Sequence, residues 1–395
     1  MSGLTYSERF CPVCRAKEQD LLYPRRFLKL SGALIDGYNV VSCRECGFCF
    51  ASNLPEQSAF DAYYEAQSKY EHGGRGGAPS EYDTRRLPFA VGIISEWLPD
   101  RQARILDIGC ANGGLLAELK KNGYSNLQGV DPSPACSRTA RELYDIKVTT
   151  APISRIPASI GSFDLVIFGS VLEHIIDFES TINQTKDLLK EKGCIYVEIP
   201  DMTRCSLMTD APFQEFSVEH VNYFGPASLR NLMGCRGFAP IGLRQTSIEQ
   251  VAGLKIYEIK AMFEQTGARM ALEKDIETRP ELERYIAKSR QKLDRVVSVI
   301  DRLVEEQRPI VVWGVGTHTQ GLLADTSLKR AKIEAYVDSN QRYVGQSLEG
   351  TPILPVEALK RFPHDILVSS QQFQSEIVEQ IRNRLALPNH VITLY

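Results

Sequence analysis

Residues 105 to 115 read ILDIGCANGGL, an apolar run that passes through glycines into a helical pattern, and a second apolar run closes on Asp131 in GVD. A glycine turn at the end of a strand lets backbone approach a ligand. An acidic residue at the end of the next strand can accept both hydroxyls of a ribose. The chemistry implied is binding of a nucleoside-type cofactor. A dinucleotide would require G-x-G-x-x-G; here Asp107, Gly109 and Gly113 spell D-x-G-x-x-x-G, and Ala111 stands where the middle glycine belongs. A second chemical group lies near the start, where Cys11, Cys14, Cys43 and Cys46 form two C-x2-C pairs in CPVC and CREC. Four thiolates from paired knuckles fill a zinc tetrahedron and leave no position for water, so this metal would be structural. Cys49 falls outside that spacing and is read as a buried thiol.

The elements that must position these groups follow from the patterning. Residues 1–56 are expected to form the zinc-binding ribbon, and 57–89, polar and rich in tyrosine and glycine, a connector or lid. Across 90–245 the apolar strands ARILDIG, NLQGVD, FDLVIFG and GCIYVEIP alternate with helical segments. That pattern predicts an α/β fold, a parallel sheet covered by helices with the ligand at the carboxyl ends of its strands. Segment 246–307 reads as a connection plus a long amphipathic helix carrying Leu282, Ile286, Leu293, Val296, Val297, Ile300, Leu303 and Val304 at helical spacing, stopped by Pro309. Residues 308–395 begin again with a strand and glycine turn, PIVVWGVGTHTQGLL, and predict a second Rossmann-like unit. Thr319 there replaces the third fingerprint glycine, which speaks for a scaffold without its own cofactor.

Composition bounds the partners. With 395 residues, 43% hydrophobic and 24% charged, the chain is that of a multidomain globular protein. A net charge of −3 gives no electrostatic reason to expect nucleic acid or an anionic membrane. The opening MSGLTYSERF lacks a signal-peptide pattern and no apolar run approaches a spanning length, so a cytoplasmic location is expected. Ten cysteines in that setting argue for metal ligands and buried thiols over disulfides. Oligomeric state leaves no mark on the sequence.

ILDIGCANGGL and GVDPS at 129 to 133, with SFDLV at 162 to 166 and the following IFGSVLEH, resemble the first two motifs, the fourth strand and the active-site loop of class I S-adenosylmethionine-dependent methyltransferases. The resemblance implies a cofactor site of Asp107, Gly109, Cys110, Ala111, Gly113, Asp131 and Ser170. In it Gly109 and Gly113 lie along the methionine part and Asp131 takes the ribose. The order of ribbon, core, long helix and terminal Rossmann-like domain resembles the three-domain sugar C-methyltransferases, and so implies a nucleotide-linked keto-deoxysugar as substrate.

FSVEHVNYFG is similar to that family's Y-H-E-H-x-x-Y-F segment, which places the general base at His220, with Glu219 beside it and His174 of VLEHIID near the nucleotide-sugar. A histidine can take the proton α to a ketone near neutral pH, and the enolate then attacks the sulfonium methyl. Ser217 and Val218 replace the family's tyrosine and first histidine. A phenol to steady the enolate would then come from Tyr70 or Tyr64. Two other readings stand beside this one. His220 would deprotonate a hydroxyl or amine of a sugar or another small metabolite, giving O- or N-methylation, or the fold would be a non-catalytic cofactor-binding or assembly protein.

Overall fold

The computed structural model describes residues 9–28, 30, 34–66, 79–251 and 253–395; Tyr70 lies outside the described residues. Its elements run β1 (Gln19–Arg26), β2 (Gly37–Cys43), β3 (Cys49–Ser52), α1 (Gln57–Ala66), α2 (Glu81–Trp97), β4 (Arg104–Ile108), α3 (Gly114–Lys121), β5 (Asn126–Asp131), α4 (Pro134–Tyr144), β6 (Val148–Thr150), β7 (Phe163–Gly169), α5 (Phe178–Leu188), β8 (Leu189–Pro200), β9 (Asn222–Tyr223), α6 (Pro226–Gly234), β10 (Phe238–Val251) and β11 (Leu254–Gln265). They continue with α7 (Thr278–Glu306), β12 (Ile310–Trp313), α8 (Thr317–Asp325), β13 (Ile333–Asp338), β14 (Ser347–Leu348), β15 (Thr351–Pro355), β16 (Asp365–Val368), α9 (Gln374–Glu379) and β17 (Val391–Thr393). Two compact units result. One holds Met1–Leu22, Val40–Met208 and Glu219–Leu282; the other holds Tyr23–Asn39, Thr209–Val218 and Glu283–Tyr395. Each therefore draws on several stretches of chain, unlike the contiguous segments expected from patterning.

In the first unit β4, β5, β6, β7 and β8 are parallel, β11 runs antiparallel to β8, and β10 closes the edge in the order β10-β11-β8-β7-β4-β5-β6. Strand alternation loads both faces. Ile105, Leu165, Ile167 and Tyr196 pack with Leu87, Ile94, Leu116 and Leu119 on one side. Leu106, Val166, Phe168 and Val197 pack with Phe178 and Ile182 on the other. Each such large side chain contributes about 1.5–3 kcal/mol by leaving water. After β4 the chain builds outward through β5 and β6, then returns to β7 on the opposite side of β4. The crevice at the carboxyl ends of β4 and β7 is thus the point where strand order reverses.

Two expected boundaries move. The break at 89 and 90 falls inside α2, which starts at a capping box in which Ser80 Oγ accepts from Asp83 N at 3.1 Å and Asp83 Oδ2 accepts from Ser80 N at 3.2 Å. Pro88 lies within this helix, and burial of Leu87, Ala90, Val91, Ile93 and Ile94 on both sides of it offsets its cost of about 3 kcal/mol. The break at 245 and 246 is also displaced, because β10 crosses it and β11 lies between β8 and β10. Residues up to Gln265 therefore belong to the sheet and not to a connecting segment.

The second unit has a six-stranded sheet in the order β14-β15-β13-β12-β16-β17, parallel except for β14. Val296, Ile300 and Leu303 of α7 pack against Ile310, Val312 and Leu367, as the helical stripe predicts. Thr319 turns inward, its hydroxyl 2.6 Å from that of Ser369.

Candidate active site

The cofactor crevice is built by backbone that only particular residues tolerate. Gly109 has φ +73°, and a Cβ there would come within 2.7 Å of Val171 Cγ2. Gly113 caps α3 at φ +77°, and Ala111 between them is also left-handed at +47°. Asp131, nearly buried, accepts from Ala111 N and Ser133 N, both at 2.9 Å. Burial raises its carboxyl above the usual range and these two backbone donors oppose the shift. The turn is thereby tied to the acid at the end of β5, with further lone pairs on each carboxylate oxygen for ribose hydroxyls.

Two adjoining hollows flank Gly109 and Gly169. The larger, about 990 Å³, is lined by Gln57, Asp61, Tyr64, Asp131, Ile153, Ser170, His174 and Glu219 among others. The smaller, about 680 Å³, is lined by Asp83, Arg86, Asp107, Gly109, Ala111 and Tyr144 among others. Together the two hollows present the carboxylates of Asp131, Asp107 and Asp83 and the guanidinium of Arg86 beside the glycine turn. Cys110 also lines the smaller hollow. A Cβ on Gly129 would lie 2.5 Å from its Sγ, so the thiol turns toward β5 and the core and leaves backbone as its contribution to the crevice.

The two histidines meet beside the larger hollow, His174 lining it and His220 packed against His174. His174 sits in a short 3-10 turn after β7, and its Nδ1 lies 2.9 Å from the Glu219 carbonyl and 3.2 Å from Tyr64 Oη. A carbonyl only accepts, so Nδ1 carries a proton in this arrangement. The His174 and His220 rings approach edge to face with centroids 5.1 Å apart. Tyr63 donates to Glu219 Oε1 at 3.1 Å. Glu173 is 2% exposed and joins this group, its carboxylate and the two imidazoles all within 4.8 Å.

The structure thus brings together His220, Glu219, His174 and Tyr64 in one cluster, and Asp107, Gly109, Cys110, Ala111, Asp131 and Ser170 along the two hollows, whereas Gly113 lines neither and faces Ala140. Sequence reasoning missed Arg86, which pairs with the buried Glu198, and missed Gln57 and Asp61, which share the cleft-facing side of α1 with Tyr64. The spacing of 57, 61 and 64 is the signal that would have found the last two.

Cys11, Cys14, Cys43 and Cys46 gather with their sulfurs within 4.8 Å of one another, Cys11 to Cys46 and Cys14 to Cys43 each at 3.5 Å. Sulfurs about 2.3 Å from one metal have tetrahedral edges of about 3.8 Å. The four fit that geometry. Each knuckle is closed by its own backbone, Arg15 N to Cys11 O at 2.8 Å and Gly47 N to Cys43 O at 3.0 Å. Cys49 is buried apart from them, donating to Gly47 O at 3.6 Å.

With this site in view, residues 82–242 match the family described as a methyltransferase domain, and they form a class I S-adenosylmethionine-dependent methyltransferase domain. Residues 306–392 match a second family, described as C2185-like, N-terminal. Among curated relatives, the mitochondrial ubiquinone biosynthesis O-methyltransferase of Homo sapiens is 25% identical over 146 residues, 33% of this chain and 39% of that protein. The corresponding enzyme of Xylella fastidiosa is 28% identical over 138 residues, 33% of this chain and 55% of its own length. The chain thus spans about half or less of the length of these relatives. Among solved structures, 1,6-didemethyltoxoflavin-N1-methyltransferase of Burkholderia thailandensis is similar at 18% identity and TM-score 0.41, covering 57% of this chain and 98% of that one. Magnesium protoporphyrin IX methyltransferase of Synechocystis PCC 6803 is similar at 17% identity and TM-score 0.38, covering 54% and 98%.

Proposed function

We propose that the protein is an S-adenosylmethionine-dependent methyltransferase of a small molecule, with His220 as general base and a nucleotide-linked keto-deoxysugar methylated on carbon as its acceptor. The observation that carries this reading is that His174, Glu219 and Tyr64 line the same hollow as Asp131 and Ser170, with the His220 ring packed edge to face against that of His174. S-adenosylmethionine bound there supplies an electrophilic methyl group and leaves as S-adenosylhomocysteine. Asp131 holds the ribose, Arg86 the carboxylate of the tail, and the positive-φ turn around Gly109 keeps backbone close. His220 takes the acceptor proton as the acceptor's electron pair turns toward the methyl carbon. Tyr64 and His174 align the oxygen on which charge collects, and alignment with charge stabilisation accounts for most of such a rate gain. Tyr64 answers the missing family phenol at Ser217. The cysteine cluster holds structural zinc.

Transfer to oxygen is a second reading, favoured by the names of the curated relatives, which are O-methyltransferases. Mass spectrometry of methyl transfer from labelled S-adenosylmethionine to nucleotide-linked sugars with and without a 4-keto group, and to catechol-type acceptors, separates the two. Label on carbon of keto sugars, lost in His220→Ala, is expected. Label on oxygen selects the second reading. Absence of transfer to any acceptor, with S-adenosylmethionine bound, removes both.

A further inference from the structure

One side chain of the cysteine module reaches both histidine-bearing segments. Arg9, two residues before Cys11, donates from Nη2 to the carbonyls of Ile175 at 3.1 Å and Ile176 at 2.8 Å, directly after His174. From Nη1 it donates to Val221 O at 3.3 Å and Asn222 Oδ1 at 3.0 Å, directly after His220. Asn222 closes the link, its Nδ2 donating to Leu172 O at 2.9 Å and Ile175 O at 2.7 Å. The module also pairs with the His220 segment directly: β3 and β9 match Cys49 with Tyr223 and Phe50 with Asn222, and Ala51 N donates to Val221 O at 2.9 Å. The guanidinium lies over Phe50, 5.7 Å from the ring centroid.

Neither histidine sits in a long regular element. His174 occupies a three-residue 3-10 turn, and His220 precedes a two-residue strand. One planar cation joins carbonyls of both segments, adding to the bonds that Val221 O takes from Ala51 N and Ile175 O from Asn222 Nδ2, and its fork spans the two in a way an ammonium point charge does not. We propose that Arg9 is a positioning residue for the acceptor site: the cysteine module, through Arg9, sets the separation of His174 and His220. The inference rests on the reading of those two histidines as the acceptor site.

Full-length wild type, Arg9→Lys and Arg9→Gln provide the test. Zinc content, S-adenosylmethionine affinity by calorimetry, the His174 and His220 ring signals by NMR titration, and kcat against acceptor KM are measured for each. Expected for Arg9→Gln are zinc content and cofactor Kd within about twofold of wild type. Both histidine signals and their titration are displaced, and kcat falls about tenfold or more with a smaller change in KM. Arg9→Lys recovers part of both effects. Unmoved histidine signals would overturn the proposal, as would joint loss of zinc and cofactor binding in both variants, which would make Arg9 a general folding residue. If no acceptor is methylated, the function proposed above fails while the histidine titration still decides the role of Arg9.

Discussion

Asp107 shows how a single buried group reports on the cofactor. It is 3% exposed, and burial holds its carboxyl up at about 8, with Asp131 and Glu198 adding to the rise and Arg86 opposing it. Its folded value therefore lies above the ordinary 3.8, the reverse of a salt-bridged aspartate. Ionisation costs the folded state, so this group subtracts stability from the empty protein as pH climbs from about 4 toward about 8, by at most about 1.4 kcal/mol per unit. A cationic ammonium and sulfonium in the crevice favour the ionised form. S-adenosylmethionine should accordingly bind severalfold tighter at pH 8 than at pH 6, and Asp107→Asn should flatten that rise while lifting the melting temperature of the empty protein near pH 8. Calorimetric Kd values and thermal melts across the range check both; an unchanged slope in the variant would remove Asp107 from the linkage.

At the scale of elements, the edge hairpin shows how packing extends the methyltransferase domain beyond its motifs. β10 is mostly half-exposed or exposed, and β11 alone has a continuous buried run at Glu258–Phe263. Gly242 lets the hairpin close on α2, for a Cβ there would lie 2.6 Å from the Trp97 ring. Gly242→Val should cost about 1–3 kcal/mol through overpacking, read as a lower denaturant midpoint with unchanged zinc content. A midpoint equal to that of wild type would mean that the ring moves aside freely. The same hairpin brings Lys260, fully buried, to Glu198 at 2.6 Å and Glu258 at 2.7 Å, and Glu198 in turn pairs with Arg86 at the lining of the smaller hollow.

At the scale of the whole molecule, the second unit has a charge economy of its own. Desolvation, with Arg25 adding to it, holds His318 down at about 3 from an ordinary 6.5, and its Nε2 meets Tyr395 Oη. The unfolded chain binds that proton near 6.5 and the folded one only near 3. The contribution of His318 is therefore complete above about 6.5 and is lost as pH falls toward 3, by at most about 1.4 kcal/mol per unit. His318→Gln, which keeps an acceptor without titrating, should make unfolding of the terminal unit less sensitive to acid over that span. Hydrogen exchange of β12 and β16 amides at pH 7 and pH 4.5 checks this, and an equal pH dependence in both proteins would exclude the histidine as its source. Among the described residues no helix is long and apolar enough to cross a membrane.

What the sequence by itself determined is whatever depends on contacts close along the chain. The glycine turn at 109 to 113 and the acid at 131 are joined by one β-α-β unit, and each cysteine pair is joined by one knuckle. The helical stripe of α7 and the strands around both glycine turns have short periods that survive without tertiary context. Only the tertiary structure decided what converges from far apart. It showed that Pro88 fails to end α2, that residues 246–265 complete the sheet, and that Cys110 turns its thiol inward. Tyr64, His174 and His220, spread over more than 150 positions, meet in one cluster. Arg9 lies 166 and 212 positions from carbonyls it binds, and no period or spacing marks such a residue. Local patterns express backbone geometry, whereas a site assembled from separate turns expresses the packing that brings those turns to one place.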